Sequence, residues 1–281
     1  MSRQMILVTT LEELASARVL LDEPVGFVPT MGYLHRGHLS LAIRARQECR
    51  SVAASIFVNP TQFGPTEDLS KYPRDLERDL RLLEEAEVDL VWTPTAEIMY
   101  PPGYQTWVDV AEVSLPLEGA QRPGHFRGVT TVVTKLFNAV RPARAYFGQK
   151  DAQQAAVIKR MTRDLNLPIE IVVCPIVREP DGLAMSSRNV YLSPEQRAGA
   201  TVLYRSLQAA RELYDTGERK AEALRQRMLE VLRSEPLAQV QYVSCADNES
   251  LQELKEVTGA ALLSMAVYFG KTRLIDNVVL G

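Results

Sequence analysis

The chain has 281 residues, 46% of them hydrophobic, enough to bury one large core or two moderate ones. A formal net charge of -3 and a pI near 5.8 argue against nucleic acid as the main partner, because a phosphate-tracking surface carries excess lysine and arginine. No stretch approaches the length of a bilayer span, and the first ten residues lack the long apolar run of a signal peptide. Cys49, Cys174 and Cys245 are far apart without metal-like spacing. They read as reduced thiols and point to a cytoplasmic protein.

Thr10 followed by Glu13 forms a capping-box pattern and predicts a helix to about Leu21. Residues 25–28 are a short apolar run that reads as a buried strand, stopped by Pro29. Gly32 and Gly37 permit a tight path, and Leu39, Leu41, Ala42, Ile43 and Ala45 begin a helical pattern. A strand-turn-helix unit aims free backbone N–H groups and a positive dipole end at whatever lies over the turn. His35 and His38 stand at that helix start with Gly37 between them, placed to donate to one anionic ligand, while the glycine keeps bulk away from the backbone. A helix cap or a zinc site would also use histidine, although no Cys or carboxylate nearby completes a tetrahedral set.

Residues 51–58 read as a second buried parallel strand, running into Asn59, Pro60, Thr61, Gln62, Phe63, Gly64 and Pro65. Ligands of open parallel sheets bind at the carboxyl ends of strands, which puts this loop beside the histidine turn. A helix is expected over 75–86, a strand over 89–92, and irregular strands or loops covering the site over 97–121. Residues 119–128 read as a glycine-rich loop holding Arg122, His125 and Arg127, followed by an apolar helix over 130–140. A strand over 143–147 leads into Gly148, Gln149, Lys150 and Asp151 and a helix to about Asn166. Lys150 suits a phosphate, Asp151 a ribose hydroxyl, and Gln154 falls one helical turn on, on the side of Lys150. After a strand over 169–174, the segment 181–189 carries Ser186, Ser187 and Arg188, a set able to wrap phosphates as pyrophosphate leaves. One long helix over 195–216, a second over 218–232, and strands over 239–244, 260–269 and 271–279 complete the chain. The predicted class is α/β, a Rossmann-like parallel-sheet domain over 1–180 with a smaller C-terminal α+β domain over 181–281.

The HRGH turn resembles the HxGH signature of nucleotidyltransferases. With PTMGYLHRGH, FVNPTQFGP, RPGHFRGVTTVV, FGQKDAQQ and VREPDGLAMSSRNVYL in this order, the chain resembles the pantothenate synthetase (pantoate–β-alanine ligase) family from end to end. The resemblance implies ATP-dependent condensation of pantoate with β-alanine through pantoyl adenylate, with Mg2+ on the phosphates, in a homodimer. It implies that His38 and His35 stabilise the reacting phosphate, with Lys150, Ser186, Ser187 and Arg188 on the ATP phosphates. The nucleotide would also meet Met31, Gly32, Tyr33, Leu34, Arg36 and Gly37, then Gly148, Gln149 and Asp151 at the ribose, Val177 at adenine, and Met185. Gln62 and Gln154 would hold pantoate by its oxygens, and Pro29, Met31, Val132 and Val133 would form its apolar wall. Asn59, Arg122 and His125 would add polar contacts, and Asp79 an outer magnesium ligand. Tyr33 and Gln149 depart from the family's frequent Ala and Glu. Another HxGH nucleotidyltransferase, or a non-catalytic nucleotide sensor, is the competing reading.

Overall fold

A computed structural model describes residues 4–64 and 69–281 of the chain. Pro65, expected at the end of the 59–65 loop, lies outside the described residues, as do the first three. The first half contains β1 (Ile6–Val8), α1 (Leu11–Arg18), β2 (Val25–Thr30), α2 (Arg36–Glu48) and β3 (Ser51–Ile56). It continues through α3 (Leu76–Glu85), β4 (Leu90–Trp92), α4 (Ala96–Met99), α5 (Glu118–Gln121), α6 (His125–Val140), β5 (Arg144–Gly148), α7 (Ala152–Asp164) and β6 (Glu170–Cys174). These six strands pair in parallel in the order β1-β4-β3-β2-β5-β6. The strand order reverses between β2 and β5, so the crevice over their carboxyl ends is the topological switch point where such sheets bind ligands.

Alternation along β2 explains how the sheet is sandwiched. Val25 and Phe27 face a core shared with α1, α6 and α7, whereas Val28 faces one built with α2 and α3. Phe27 is fully buried, a contribution of roughly 1.5–3 kcal/mol for such a side chain. The capping box at the first helix is present, Thr10 accepting from Glu13 N–H and the Glu13 carboxylate accepting from Thr10 N–H.

Pro29 does not stop the strand as expected; β2 runs on to Thr30. The carbonyl of Val25 accepts from Ala143 at the start of β5, and that of Thr30 accepts from Phe57 beyond β3. By alternation Pro29 therefore faces β5, where pairing ends at Phe27↔Ala145, and its missing N–H breaks no ladder bond. The expected 119–128 loop is also shorter, because Gly124 makes a left-handed turn (φ 83°) and His125 already opens α6. The 97–121 segment contains two short helices, α4 and α5, among its loops.

The remaining elements are α8 (Pro194–Gly199), α9 (Val202–Asp215), α10 (Ala221–Arg233), β7 (Ala238–Asp247), β8 (Ala261–Phe269) and β9 (Thr272–Leu280). The long helix expected over 195–216 is two helices. Between them, Thr201 N–H bonds to Ala198 O and Leu203 N–H to Ala200 O, a tighter i→i−3 pattern. The three strands form an antiparallel sheet, β7-β8-β9, with α9 and α10 packed on it around Leu203, Leu207, Leu224 and Met228. Among the described residues no helix is long and apolar enough to cross a membrane.

Candidate active site

The turn after β2 is held from below. Gly32 (φ 81°) and Tyr33 (φ 51°) both adopt left-handed backbone, which turns the next two N–H groups into one concavity. The Asp79 carboxylate on α3 fills it, Oδ2 accepting from Tyr33 N at 2.6 Å and Oδ1 from Leu34 N at 2.7 Å. Asp79 is 1% exposed and lies 3.7 Å from Arg78 Nη1. Its two oxygens thus hold the turn, a different task from the magnesium contact expected of it. Among the described residues no three His, Cys, Asp or Glu side chains converge as a metal cage.

The two histidines close the start of α2 on itself. His35 Nδ1 accepts from Gly37 N–H at 3.1 Å, and His38 Nδ1 accepts from His35 N–H at 3.4 Å. A nitrogen that accepts from an amide carries no hydrogen, so each ring bears its proton on Nε2. Ring centroids are 4.1 Å apart. Burial, then the charge of Lys150, pushes His35 down to about 4, and burial, then His35, pushes His38 down to about 3. Both are therefore neutral donors near pH 7. A Cβ on Gly37 would lie 2.8 Å from His35 Cε1, so this glycine is needed for the imidazole to fold back over the helix start. That is a more local reason than the backbone access expected from sequence. Arg36 is exposed, and Leu34 anchors the turn in the core at 1% exposure.

Across the switch point, Gly148 ends β5, and Gln149, Lys150 and Asp151 make one 3₁₀ turn before α7. Lys150 Nζ lies 3.7 Å from Asp151 Oδ1, and the charges of Lys150, Arg188 and Arg122 act on that carboxylate against the cost of its burial. The third segment is a narrow hairpin. Arg178 bridges Ala184, and Met185 N–H donates to Val177 O at 3.0 Å. Ser186 then caps the 3₁₀ turn Ser187–Tyr191, its Oγ accepting from Arg188 N–H at 3.2 Å. The Lys150 turn, this hairpin and β9 border a cleft of about 600 Å³ lined by Arg122, Lys150, Asp151, Ser186 and Arg188. A cavity of about 630 Å³ beside α7 and residues 108–113 is as large but includes neither Lys150 nor Arg188. Chemistry, and not volume, locates the site.

Gln62 ends a 3₁₀ turn (Pro60–Gln62) after β3. Its Oε1 accepts from Asn59 Nδ2 at 3.1 Å, and its Nε2 rests on Met31 Sδ at 3.0 Å, a weak acceptor that an oxygen ligand would readily replace. Asn59 is 1% exposed and also donates to Gly128 O, while its Oδ1 accepts from the Thr61 and Tyr100 hydroxyls. These bonds occupy the Asn59 amide, so it supports the loop carrying Gln62. His125 Nδ1 donates to Gln62 O at 2.8 Å, which leaves Nε2 to accept from Arg122 Nη1 at 3.1 Å. Val132 and Val133 are buried on α6, Pro29 lies near the end of β2, and Gln154 lines a separate small cavity of about 40 Å³ with Arg122 and His125.

Sequence reasoning missed the groups that β9 delivers to this site. Asn277 bonds to Gln149 and Lys150, and Asp276 pairs with Arg178. Arg273 makes two bonds of 2.7 Å with Glu118 on α5, and Tyr242 adds a third. The available signal was two adjacent polar residues, Asp276 and Asn277, inside an otherwise β-branched run.

Comparison with known proteins agrees with this geometry. The pantoate-beta-alanine ligase family profile matches residues 6–279. The pantothenate synthetase of Roseiflexus sp. (strain RS-1) is 63% identical over 276 residues, covering 98% of this chain and 99% of that protein. The crystal structure of pantothenate synthetase from Thermus thermophilus superposes with a TM-score of 0.93 at 52% identity, covering 98% of this chain and 99% of that one. A pantoate-beta-alanine ligase from Francisella tularensis, complexed with beta-gamma ATP and beta-alanine, superposes with a TM-score of 0.81 at 36% identity over 98% of both chains. The chain belongs to the pantoate-beta-alanine ligase family.

Proposed function

We propose that this chain condenses pantoate with β-alanine at the β2/β5 switch point, using ATP as its magnesium complex. A pantoate carboxylate oxygen attacks the α-phosphorus, the bond to the β,γ unit breaks, and pyrophosphate leaves. The β-alanine amine then attacks the acyl carbon of pantoyl adenylate. The carbon–oxygen bond to AMP breaks, AMP leaves, and the nitrogen loses a proton. The observation that carries this reading is the pair of neutral imidazoles with Nε2–H groups free of the backbone, across the crevice from Lys150. Donors fixed before the charge develops stabilise it without reorganisation, and such preorganised electrostatics supply much of the rate in reactions of this kind.

In this reading Lys150, Ser186, Ser187 and Arg188 neutralise the departing pyrophosphate. Met31, Gly32, Tyr33, Leu34, Gly148, Asp151, Val177 and Met185 shape the nucleotide site. Gln62 and Gln154 orient pantoate, with Pro29, Met31, Val132 and Val133 against its methyl groups. The Met31 sulfur now holding Gln62 is a placeholder for a pantoate oxygen. Magnesium travels on phosphate oxygens, consistent with its reluctance to shed water for a protein cage. A division at 180/181 into nucleotide- and C-terminal domains is supported by the two separate sheets. Three buried free thiols support a cytoplasmic setting, and family resemblance supports a homodimer.

The test is AMP and pyrophosphate release from MgATP with pantoate, with and without β-alanine. AMP that requires both acid and amine, with pantothenate in equal amount, is expected. Intact ATP binding without turnover would return the chain to a sensor role.

A further inference from the structure

Lys150 carries a charge intended for phosphate, yet little in its own turn fixes its backbone. The 3₁₀ turn Gln149–Asp151 has no side-chain cap. Its carbonyls are reached from outside. Asn277 on β9, 3% exposed, donates Nδ2 to Gln149 O at 3.0 Å and to Lys150 O at 2.9 Å. Carbonyls only accept, which fixes the amide's orientation, and its Oδ1 accepts from Gln149 Nε2 at 3.0 Å. One side chain thus reads both the main chain and the side chain of the turn.

The neighbouring residue reaches the opposite wall. Asp276 is 1% exposed, accepts from Asn277 N–H at 2.8 Å, and takes a forked pair from Arg178 at 2.7 and 2.9 Å. Arg178 follows Val177 and begins the hairpin that returns through Met185 to Ser186. It is held further by Gly182 O at 3.0 Å and by the Tyr204 ring on α9 at 4.4 Å. A forked carboxylate–guanidinium contact fixes direction as well as distance.

We propose that Asp276 and Asn277 are positioning residues that set the Lys150 turn and the Ser186–Arg188 hairpin at one fixed separation across the ATP phosphates. This rests on the nucleotide site proposed above. Neither side chain touches substrate in this scheme. They act through Lys150 and through Arg178, so the pyrophosphate-releasing half-reaction depends on them far more than the aminolysis of adenylate already bound.

The experiment compares wild type with Asn277→Asp and Asn277→Ser in both half-reactions. Asn277→Asp puts a carboxylate oxygen against two carbonyl oxygens at nearly the same volume. Asn277→Ser keeps a small polar group in the strand but cannot span both carbonyls. Thermal unfolding of each variant checks the fold. The expected result is an ATP KM raised about tenfold or more and a pantoyl-adenylate formation rate lowered by a similar factor. Aminolysis of pre-formed pantoyl adenylate by β-alanine stays within about twofold of wild type. Folded variants with unchanged ATP KM and adenylation overturn the proposal, as do losses that fall equally on both half-reactions. If wild type itself forms no pantoyl adenylate, the function reading fails instead, a result separable from failure of the clamp.

Discussion

Two strand-turn-helix units stand side by side at the switch point, and they are stabilised in opposite ways. The β2–α2 turn is locked by its own half of the molecule: Asp79 from α3 fills its concavity, and both imidazoles cap the helix they begin. The β5–α7 turn, on the adjoining strand, is held by Asn277 from the antiparallel sheet. The first presents uncharged donors in fixed positions. The second presents the charge of a lysine, whose turn depends on how the second sheet is seated. In the proposed reaction, the donors that meet the attacked phosphorus are held locally, and the lysine that meets the departing group is held by a separate element.

The largest effect should come from breaking the rigid turn at its tip. His38→Ala is expected to keep its melting temperature and lose at least ~100-fold in the rate of adenylate formation, the scale for removing one preorganised donor. A near wild-type rate would remove this residue from the site. A smaller effect follows from loosening the turn at its base. Asp79→Asn supplies one acceptor where two N–H groups need one each, and points an amide N–H at the other. Stability is expected to fall by about 1–3 kcal/mol in chemical denaturation. Adenylation should slow with ATP KM little changed, whereas the Asn277 variants alter both. An Asp79→Asn variant that raises ATP KM and slows adenylation together would erase the contrast between the two turns.

The smallest effect is on stability against pH. His35 and His38 sit near 4 and 3 in the folded chain against 6.5 for an ordinary imidazole. Between those values the unfolded chain binds more protons, so stability rises with pH across that window and is lost as pH falls from about 6.5 toward 3. A His35→Gln/His38→Gln variant should show a shallower melting-temperature slope than wild type between pH 4 and 6.5. Parallel curves would mean that these rings do not titrate as the burial around them requires.

The rigid turn was the more legible of the two in sequence. The apolar run before Pro29, the glycines and the paired histidines are all local signals, and they located strand, turn and helix within a few residues. What failed there was the reading of Pro29 as a stop, because sequence does not say which neighbour a strand residue faces. The motif around Lys150 was visible too, but its support was not. Asn277 is a long way along the chain, and a buried asparagine in a strand reveals its partner only when two sheets are in place. The backbone partners of Asp79, expected only as an outer magnesium ligand, were hidden for the same reason, since the two left-handed residues beside them leave no compositional trace beyond Gly32. Packing patterns are written in neighbours, whereas hydrogen-bond partners across the fold are not.

The distance along the chain between Lys150 and Asn277, 127 residues, also orders events during synthesis. The last parallel strand, β6, leaves the ribosome with Cys174, when the apolar faces of the first sheet are already available to collapse. The amide that ties down the lysine turn has not yet been translated. A nascent chain can therefore acquire its parallel core, and the histidine pair with it, well before the Lys150 turn is secured. The support of the lysine turn arrives only once the antiparallel sheet has formed.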